Sequence, residues 1–191
     1  ADRKKMIKAL AGANDPLFED YTKAKDRAEA SARMSRKVGD YPLLSGGDIN
    51  LYSLFVERAM NLLSPTGMMG LLTPSGIASD KTASTFFKGV ATTGRLKALY
   101  DFENKKVFFP DVHASFKFCA FIGAAHRTFD QAKCAFYVHD IAEIEDPDRC
   151  FPLSAEDFAR VNPNTGTAPI VTSARDANLL TQVYAKVPIL R

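Results

Sequence analysis

The sequence lacks each of the short motifs that mark a self-contained catalytic site. It has no phosphate-binding P-loop, no GxGxxG, no HExxH, no CxxC and no GxSxG string. These absences exclude the common motif classes of nucleotide-binding, zinc-dependent and serine-nucleophile sites from the residues present. Any chemistry in this chain therefore depends on less compact patterns.

Cysteine and histidine are also scarce. The three cysteines are odd in number and not closely paired, and they are Cys119, Cys134 and Cys150. They predict reduced core residues rather than a disulfide framework or a zinc site. The three histidines are His113, His126 and His139. They stand 13 residues apart at each step, so they belong to different elements, and we predict no metal site.

Long apolar runs and a strong charge are missing as well. No run approaches the roughly 20 apolar residues that span a bilayer, and the lysine-rich start lacks the apolar stretch of a secretion signal. We therefore expect a cytoplasmic protein. The net charge of +3 is too small to indicate a nucleic-acid partner. Residues 95–127 carry six Lys or Arg against three Asp or Glu, an excess that is equally typical of a solvated face.

Apolar spacing predicts an α/β chain. The first 38 residues are helical and charged. Asp48 is the predicted cap of an amphipathic helix, whose apolar side comprises Leu51, Leu54, Phe55, Ala59, Leu62 and Leu63. The run MMGLLTP at 68–74 is apolar on both faces, which is typical of a buried central strand of a parallel sheet. A second helix starts at Ser79 and is stopped by Gly94.

Three further strands and two helices complete the pattern. The strand-like runs occupy 95–103, 115–124 and 133–140, and the tail has helix starts at Ser154 and Ser173. The order of elements predicts the second half of a doubly wound sheet that ends in an antiparallel hairpin. Asp101 and Glu103 lie two apart on one strand, so they either serve as an acid–base pair or are solvent-facing strand ends.

Three segments together resemble one enzyme family. They are GDINLYSLF at 47–55, TPSGI at 73–77 and YDFENKKVFFPDVHASFKFC at 100–119. As a set they are similar to the central and later motifs of the gamma-type amino-methyltransferases that act on adenine in DNA. The resemblance is greatest to the fused type IIG restriction-modification enzymes and related phage-defence methylases.

This resemblance implies a fold and a division of the chain. The fold is the second half of a Rossmann-like class I methyltransferase sheet, in the order helix, strand, helix, strand, strand, with extra N- and C-terminal helices. Residues 1–46 are then a helical insertion and residues 47–140 the C-terminal half of the methyltransferase domain. Residues 141–191 are a helical connector toward a specificity domain.

The resemblance also implies a place for S-adenosylmethionine. In that family, the phenylalanine of an Asn-Leu-Tyr-x-x-Phe helix lines the pocket of the cofactor's adenine ring. The matching residue here is Phe55, with Asn50 and Leu51 before it. A flat apolar wall suits an adenine ring. The alternative is that Phe55 packs in the core beside Leu51 and Leu54.

A loop phenylalanine holds the target base in this family. The enzyme flips the adenine out of the duplex, because its amino nitrogen cannot be reached inside the base stack. The phenylalanine before proline then stacks on the base, which corresponds to Phe109, with Phe108 as the neighbour of uncertain orientation. Lys105, Lys106 and His113 flank the loop, where they either contact DNA phosphates or are plain surface residues.

The family's catalytic Asn-Pro-Pro-aromatic motif is absent, and so are its glycine-rich cofactor motif and the acidic residue that holds the ribose. In the family these lie upstream of the part matched here. We therefore expect a piece of a longer enzyme, with those motifs before Ala1 and a specificity domain after Arg191. The isolated chain is predicted to bind S-adenosylmethionine weakly or not at all and to transfer no methyl group.

A second hypothesis comes from a different functional class. In it the chain is a non-catalytic interaction module, in which Phe108 and Phe109 form an exposed partner-binding patch and the charged N-terminal helices mediate assembly. An upstream Asn-Pro-Pro-aromatic motif would discriminate between the two hypotheses. In the enzyme hypothesis the partners are double-stranded DNA and the N-terminal half of the methyltransferase domain, and no membrane is involved.

Overall fold

A computed structural model describes residues 2–12, 16–37, 39–44 and 49–187. The predicted cap at Asp48 lies outside these residues. The helices are α1 (Asp2–Gly12), α2 (Pro16–Lys37), α3 (Leu51–Asn61), α4 (Gly76–Ser79), α5 (Ser84–Ala91), α6 (Ala155–Val161) and α7 (Ala174–Lys186). The strands are β1 (Met68–Pro74), β2 (Leu96–Glu103), β3 (Lys117–Ala124), β4 (Gln131–Val138) and β5 (Phe151–Ser154). No helix in these ranges is both long and apolar enough to cross a bilayer.

The five strands form one mixed sheet in the order β1-β3-β2-β4-β5. Strand β3 lies between β1 and β2 and is antiparallel to both, so the predicted hairpin of β2 and β3 is confirmed. Strand β4 runs parallel to β2, and β5 pairs antiparallel with β4. The mixed α/β architecture with flanking helices confirms the predicted fold class. Strand β5 had no counterpart in the sequence prediction.

One face of the sheet carries the main core, which α3, α4, α5 and α6 cover. Phe86 on α5 contacts Phe121 on β3, with ring centroids 5.9 Å apart, and Phe87 meets Phe158 of α6 edge-on at 5.8 Å. The helix predicted from Ser79 is interrupted in the structure: α4 ends at Ser79 and α5 begins at Ser84. Gly94 ends this segment with a φ of +71°, a conformation that glycine adopts without steric cost.

The cysteines fit the same core. All three are free, Cys119 and Cys134 are buried, and Cys150 is half-buried. Burial raises the pKa of the Cys119 and Cys134 thiols far above its ordinary value, because the thiolate would lose its hydration. The prediction of reduced core cysteines is confirmed for the two buried ones.

Strand β1 corrects one prediction. It was expected to be a central strand of a parallel sheet, yet among the described residues it lies at the edge and pairs only with β3. Met69 and Thr73 are buried under the helices, whereas Leu72 on the opposite face is 69% exposed. Apolar residues on both faces of a strand indicate that both faces can be buried. They do not indicate how many strands pair with it.

The buried face of α3 corrects a second prediction. Leu54 faces the core, but Leu51 and Phe55, which were expected on the same side, are 71% and 72% exposed. Glu57 is buried instead, and its two carboxylate oxygens accept hydrogen bonds from the backbone N–H groups of Leu43 and Leu44 at 2.9 and 2.8 Å. Helix α3 thus directs the Glu57 carboxylate inward and presents the apolar side chains of Leu51 and Phe55 outward.

The tail follows its predicted caps. The Ser154 side chain accepts a hydrogen bond from the backbone N–H of Asp157, and the Asp157 carboxylate accepts one from the Ser154 backbone, so the capping box of α6 is confirmed. The Ser173 side chain caps α7 by accepting a hydrogen bond from the Asp176 N–H, without the reciprocal bond. The connector between these helices is held to the body by a hydrogen bond from Ala168 N to Ala78 O at 2.8 Å.

Candidate functional site

Four phenylalanines pack together where β2 and β3 meet the loop 104–116. Phe102 and Phe118 stack across the two strands with centroids 5.1 Å apart. Phe108 meets both rings edge-on at 5.2 and 5.4 Å, so it faces the core. Phe109 contacts only the edge of this group, 5.1 Å from Phe118, and is 44% exposed. The structure therefore separates two neighbours that the sequence could not tell apart.

An apolar cavity of about 270 Å³ opens beside Phe109. Its walls include Leu72 and Pro74 of β1 and Phe116 and Phe118 at the start of β3. It lies on the sheet face opposite the main core. Thr73, Asn104 and Lys117 also line the cavity, but the surface that it exposes is almost entirely apolar. The cavity therefore suits a flat, apolar group rather than a charged one.

A second, polar cavity of about 520 Å³ adjoins the first. The two share Pro74, Phe116 and Lys117. The remaining walls of the polar cavity include Asn50 and Tyr52 of the α3 start. Burial raises the pKa of the Tyr52 hydroxyl, so it remains a neutral hydrogen-bonding group.

The predicted cofactor residues therefore divide between two surfaces. Asn50 lines the polar cavity, next to the cavity that Phe109 borders. Leu51 and Phe55 lie one helical turn apart on the exposed stripe of α3 and line neither cavity. The alternative in which Phe55 packs in the core beside Leu54 is wrong, because Phe55 is largely exposed. An exposed phenyl ring on a helix is available to contact a further group.

The predicted DNA-contact residues all lie on the exposed side of the loop. Lys105 and Lys106 follow β2 with φ angles of 43° and 63°, and the Lys105 ammonium lies 3.0 Å from Glu103. His113 is exposed, and its Nδ1 lies 2.8 Å from the Ser115 hydroxyl. The three side chains are accessible at the rim of one loop, which is compatible with both alternatives left by the sequence.

The Asp101 and Glu103 pair does not consist of solvent-facing strand ends. Asp101 is only 5% exposed and accepts a hydrogen bond from the Ser75 hydroxyl. Its other carboxylate oxygen has no hydrogen-bond partner among the described residues. Glu103 is half-buried and pairs with Lys105 and with His139 Nε2 at 2.9 Å. Both carboxylates therefore hold neighbouring segments in place, and neither projects into the apolar cavity.

Asp101 gives the chain a pH-dependent stability. Burial raises the pKa of its carboxyl, although Ser75, Lys117 and the backbone N–H of Tyr137 favour the charged form. Because the folded-state pKa is raised, the contribution of this carboxyl to the free energy of unfolding is full below its unfolded-state pKa of about 3.9. The contribution is lost as the pH rises through the folded-state pKa. We predict that Asp101→Asn, which removes the ionisable group, is more stable than the wild type at neutral pH by about 1 kcal/mol. Urea unfolding at pH 4 and pH 7.5 measures this difference.

Glu103→Gln is the matched control with the opposite sign. Contacts from His139 and Lys105 lower the pKa of the Glu103 carboxyl. Its contribution is therefore present above the unfolded pKa and lost as the pH falls. The free energy of unfolding should be higher than in the wild type for Asp101→Asn and lower for Glu103→Gln at pH 7.5. Both differences should shrink toward pH 4. An Asp101→Asn advantage that is equal at both pH values would refute the ionisation account.

Comparison with known proteins supports the resemblance seen in the motifs. Residues 21–108 match the model of the family described as Eco57I restriction-modification methylase. This stretch begins within α2, includes the α3 helix and the TPSGI turn, and ends inside the loop next to Phe109. It is somewhat less than half of the chain. No curated protein matches the chain.

Two solved structures are similar to this chain at low identity and with TM-scores below 0.5. One is the methyltransferase subunit of a type I restriction-modification system from Streptococcus thermophilus, with 14% identity and a TM-score of 0.49 over 70% of this chain and 33% of its own. The other is the type IIG restriction endonuclease BpuSI, with 13% identity and a TM-score of 0.43 over 84% of this chain and 18% of its own. The chain thus spans about a third of the length of the first protein and less of the second.

The family match and the motifs agree on the same stretch of chain. The segments that carry the resemblance between 47 and 108 lie within the matched residues, and the mixed α/β fold is the one that the resemblance implies. Over residues 21–108, this chain therefore matches the Eco57I restriction-modification methylase family, which confirms the family resemblance that its motifs indicated.

Proposed function

We propose that the protein carrying this chain transfers a methyl group from S-adenosylmethionine to the N6 amino group of adenine in duplex DNA, within a restriction-modification system. This chain supplies the aromatic wall for the extruded base and part of the cofactor pocket. The observation that carries the proposal is the apolar cavity bordered by Phe109, in a chain that matches a restriction-modification methylase family. As an enzyme of host DNA, the protein would act in the cytoplasm.

The apolar cavity supports the base-holding role. A duplex conceals the adenine amino group, so an enzyme that acts on it extrudes the base, at a cost of a few kcal/mol. Stacking on an aromatic ring returns roughly 1–3 kcal/mol per base. Phe109 and Phe116 are both exposed rings at the cavity, and Leu72 offers a further apolar surface. The family resemblance assigns the stacking role to Phe109, the ring that precedes proline. Lys105 and Lys106 are exposed in the same loop, where they would contact phosphates of a bound duplex.

The exposed start of α3 fits one wall of a cofactor site. Phe55 and Leu51 present apolar surface to the outside, and an adenine ring can pack against such a wall. When bound, S-adenosylmethionine supplies the electrophilic methyl group. Phe55 would orient the adenine ring and Leu51 would limit access of water to it, while Asn50 would offer a polar contact from the adjoining polar cavity. The groups that would hold its ribose belong to motifs that this sequence does not contain.

The exposed edge of β1 suits the N-terminal half of a methyltransferase domain. Along that edge, β1 has no strand partner among the described residues, and an open strand edge readily pairs with another strand. Met68 and Leu62 add exposed apolar side chains next to it. A complementary half-sheet would cover this surface and bring the Asn-Pro-Pro-aromatic motif toward the apolar cavity. Alone, the chain would therefore be inactive.

Labelled methyl transfer from S-adenosylmethionine to mixed-sequence duplex DNA tests the proposal. The full-length gene product should label the DNA, and this 191-residue chain should not. Omission of the DNA is the control for self-methylation. Transfer to protein but not to DNA, or no transfer across DNA pools that cover all short sequence contexts, would sink the proposal and favour an interaction module.

The cofactor wall gives a separate prediction. In the full-length gene product, Phe55→Ala should raise the KM for S-adenosylmethionine roughly 10-fold, because an aromatic contact with a base is worth about 1–3 kcal/mol. Phe55→Tyr should restore it, and the KM for DNA should change little. Leu179→Ala is the control, since Leu179 is another exposed apolar residue on the distant helix α7. An unchanged cofactor KM would remove Phe55 from the site.

A further inference from the structure

Asn104 is the only polar side chain in the described chain that is fully buried beside the Phe109 loop. It follows β2 directly, and its side chain makes three hydrogen bonds to the loop backbone. Its amide nitrogen donates to Phe109 O at 2.8 Å and to Val112 O at 3.0 Å. Its amide oxygen accepts from Phe109 N at 2.9 Å. One side chain therefore binds both backbone polar groups of Phe109.

Backbone hydrogen bonds join the two arms of the loop at its base. Within the loop, short turns are closed from Val107 N to Asn104 O, from Val112 N to Phe109 O and from Phe116 N to His113 O. Asn104 N donates to Phe116 O at 2.9 Å, and Lys105 N donates to Ala114 O at 2.8 Å. Beyond these bonds the chain passes through Lys105 and Lys106, which both have positive φ angles. Such conformations cost non-glycine residues about 1 kcal/mol or more each, so the loop needs compensating contacts. The Asn104 amide supplies them from the inside.

Asparagine suits this position because it combines two donors and an acceptor on a short side chain. Aspartate would keep the acceptor for the Phe109 N–H but would place a carboxylate against two carbonyl oxygens. Leucine would leave the Phe109 N–H and the Val112 carbonyl without their partner, whereas the Phe109 carbonyl would keep only the hydrogen bond from the Val112 N–H. The contacts therefore require an amide and not merely a side chain of this size.

We propose that Asn104 is a positioning residue that fixes Phe109 for stacking on the extruded base. This inference rests on the proposed function. By holding the N–H and C=O of the same residue, Asn104 sets the direction in which the Phe109 ring leaves the backbone, beside Leu72 and Phe118. The base would then meet a ring that is already oriented, so less conformational entropy is lost on binding.

Asn104→Asp tests this through a pH dependence that a merely structural defect would lack. The ordered loop disfavours the ionised carboxylate, so the pKa of the introduced carboxyl rises. Loop order should therefore be present below that pKa, where the protonated carboxyl donates one hydrogen bond, and be lost as the pH rises through it. The charged and titratable groups of the loop and the adjoining strand ends are Glu103, Lys105, Lys106, Asp111, His113 and Lys117, and Glu103 also pairs with His139. Comparison with the wild type at each pH subtracts their own titration.

Two readouts on the full-length gene product decide the matter. Hydrogen exchange of the 104–116 peptide at pH 8 should be at least about 10-fold faster in Asn104→Asp than in the wild type. The ionised carboxylate loses both hydrogen bonds to the Phe109 and Val112 carbonyls, and a 10-fold change corresponds to about 1.4 kcal/mol. Turnover on DNA should fall by roughly the same factor, while the KM for S-adenosylmethionine stays unchanged. Both differences should narrow at pH 5.5. Asn61→Asp, on the exposed end of α3, is the matched control.

Exchange of the β1 and β4 peptides in the same samples reports whether the variant is folded. If those peptides also lose protection, Asn104→Ser is used in place of Asn104→Asp. The serine keeps one donor, so the protection of the loop should lie between that of the wild type and that of Asn104→Asp. If hydrogen exchange of the loop is the same in Asn104→Asp as in the wild type, the inference is overturned. It is also overturned if the loop of Asn104→Asp exchanges faster but turnover stays at the wild-type level, while Phe109→Ala lowers turnover. A wild type that transfers no methyl group refutes the proposed function instead, and the exchange data then still decide whether Asn104 holds the loop.

Discussion

If the proposed function holds, replacing Phe109 with alanine is expected to lower methyl transfer to DNA by roughly 10- to 100-fold in the full-length gene product, because a stacking contact is worth about 1–3 kcal/mol per base. The loss falls on kcat and on the KM for DNA, and the KM for S-adenosylmethionine is unaffected. The reason is the position of the ring. Phe109 is half-exposed at the apolar cavity and contributes little to the core, so alanine removes a binding surface while the fold is retained. Steady-state kinetics with each substrate varied in turn measures the effect.

Phe109→Trp and Phe108→Ala are the informative controls. The tryptophan keeps an aromatic face and should retain most of the activity. Phe108 packs edge-on against Phe102 and Phe118, so its removal should lower the unfolding temperature more than it lowers the turnover of the remaining folded protein. If Phe109→Ala retains activity and an equally stable Phe108→Ala loses it, the stacking residue is Phe108 and not Phe109.

The largest effect on stability is expected from Arg149→Met. The Arg149 guanidinium joins three segments: it donates to Glu143 at 2.8 Å, to the carbonyls of Phe136 and Tyr137 at 3.2 and 3.1 Å, and to the carbonyl of Thr172. It therefore ties the connector to the end of β4. Loss of such a partly buried, charge-assisted network costs about 2–4 kcal/mol, which lowers the Tm of a domain of this size by about 5–15 °C. Thermal unfolding of the 191-residue chain followed by circular dichroism tests this.

Arg160→Met provides the comparison. Arg160 pairs with Glu156 on an exposed turn of α6, and such pairs contribute about 0.5 kcal/mol or less. The same chemical change should therefore leave the Tm nearly unchanged. If the two variants unfold at the same temperature, Arg149 does not have the structural role that its contacts indicate.

The elements that the sequence predicted well are those with local signals. Gly94 ends its helical segment and Ser154 caps α6, because backbone conformation and caps are fixed by neighbouring residues. The order of the strands depends on distant pairings, so the insertion of β3 between β1 and β2 had no local signal. The outward stripe of Leu51 and Phe55 was misassigned for a related reason: apolar spacing identifies an amphipathic face but not the surface it contacts.

The candidate site was predicted to a similar extent. The family motif located the loop and both phenylalanines, but only the packing of Phe108 against Phe118 showed which ring is free. Asn104 escaped the sequence analysis because an asparagine after a strand is also typical of an ordinary turn. The two lysines that follow Asn104 have positive φ angles in the structure, but the Asn-Lys-Lys string gave no signal of this. Such conformations cannot be inferred from lysine, which rarely adopts them.

The most direct test of the account is a map of modified bases in genomic DNA. The full-length gene would be expressed in a host that lacks DNA methylation, and the DNA would be read by a sequencing method that distinguishes N6-methyladenine from the methylated cytosines. The account predicts N6-methyladenine at nearly every copy of one short sequence, and a marked loss of it with Phe109→Ala. Methylated cytosine in its place, or DNA without any modified base, would contradict it.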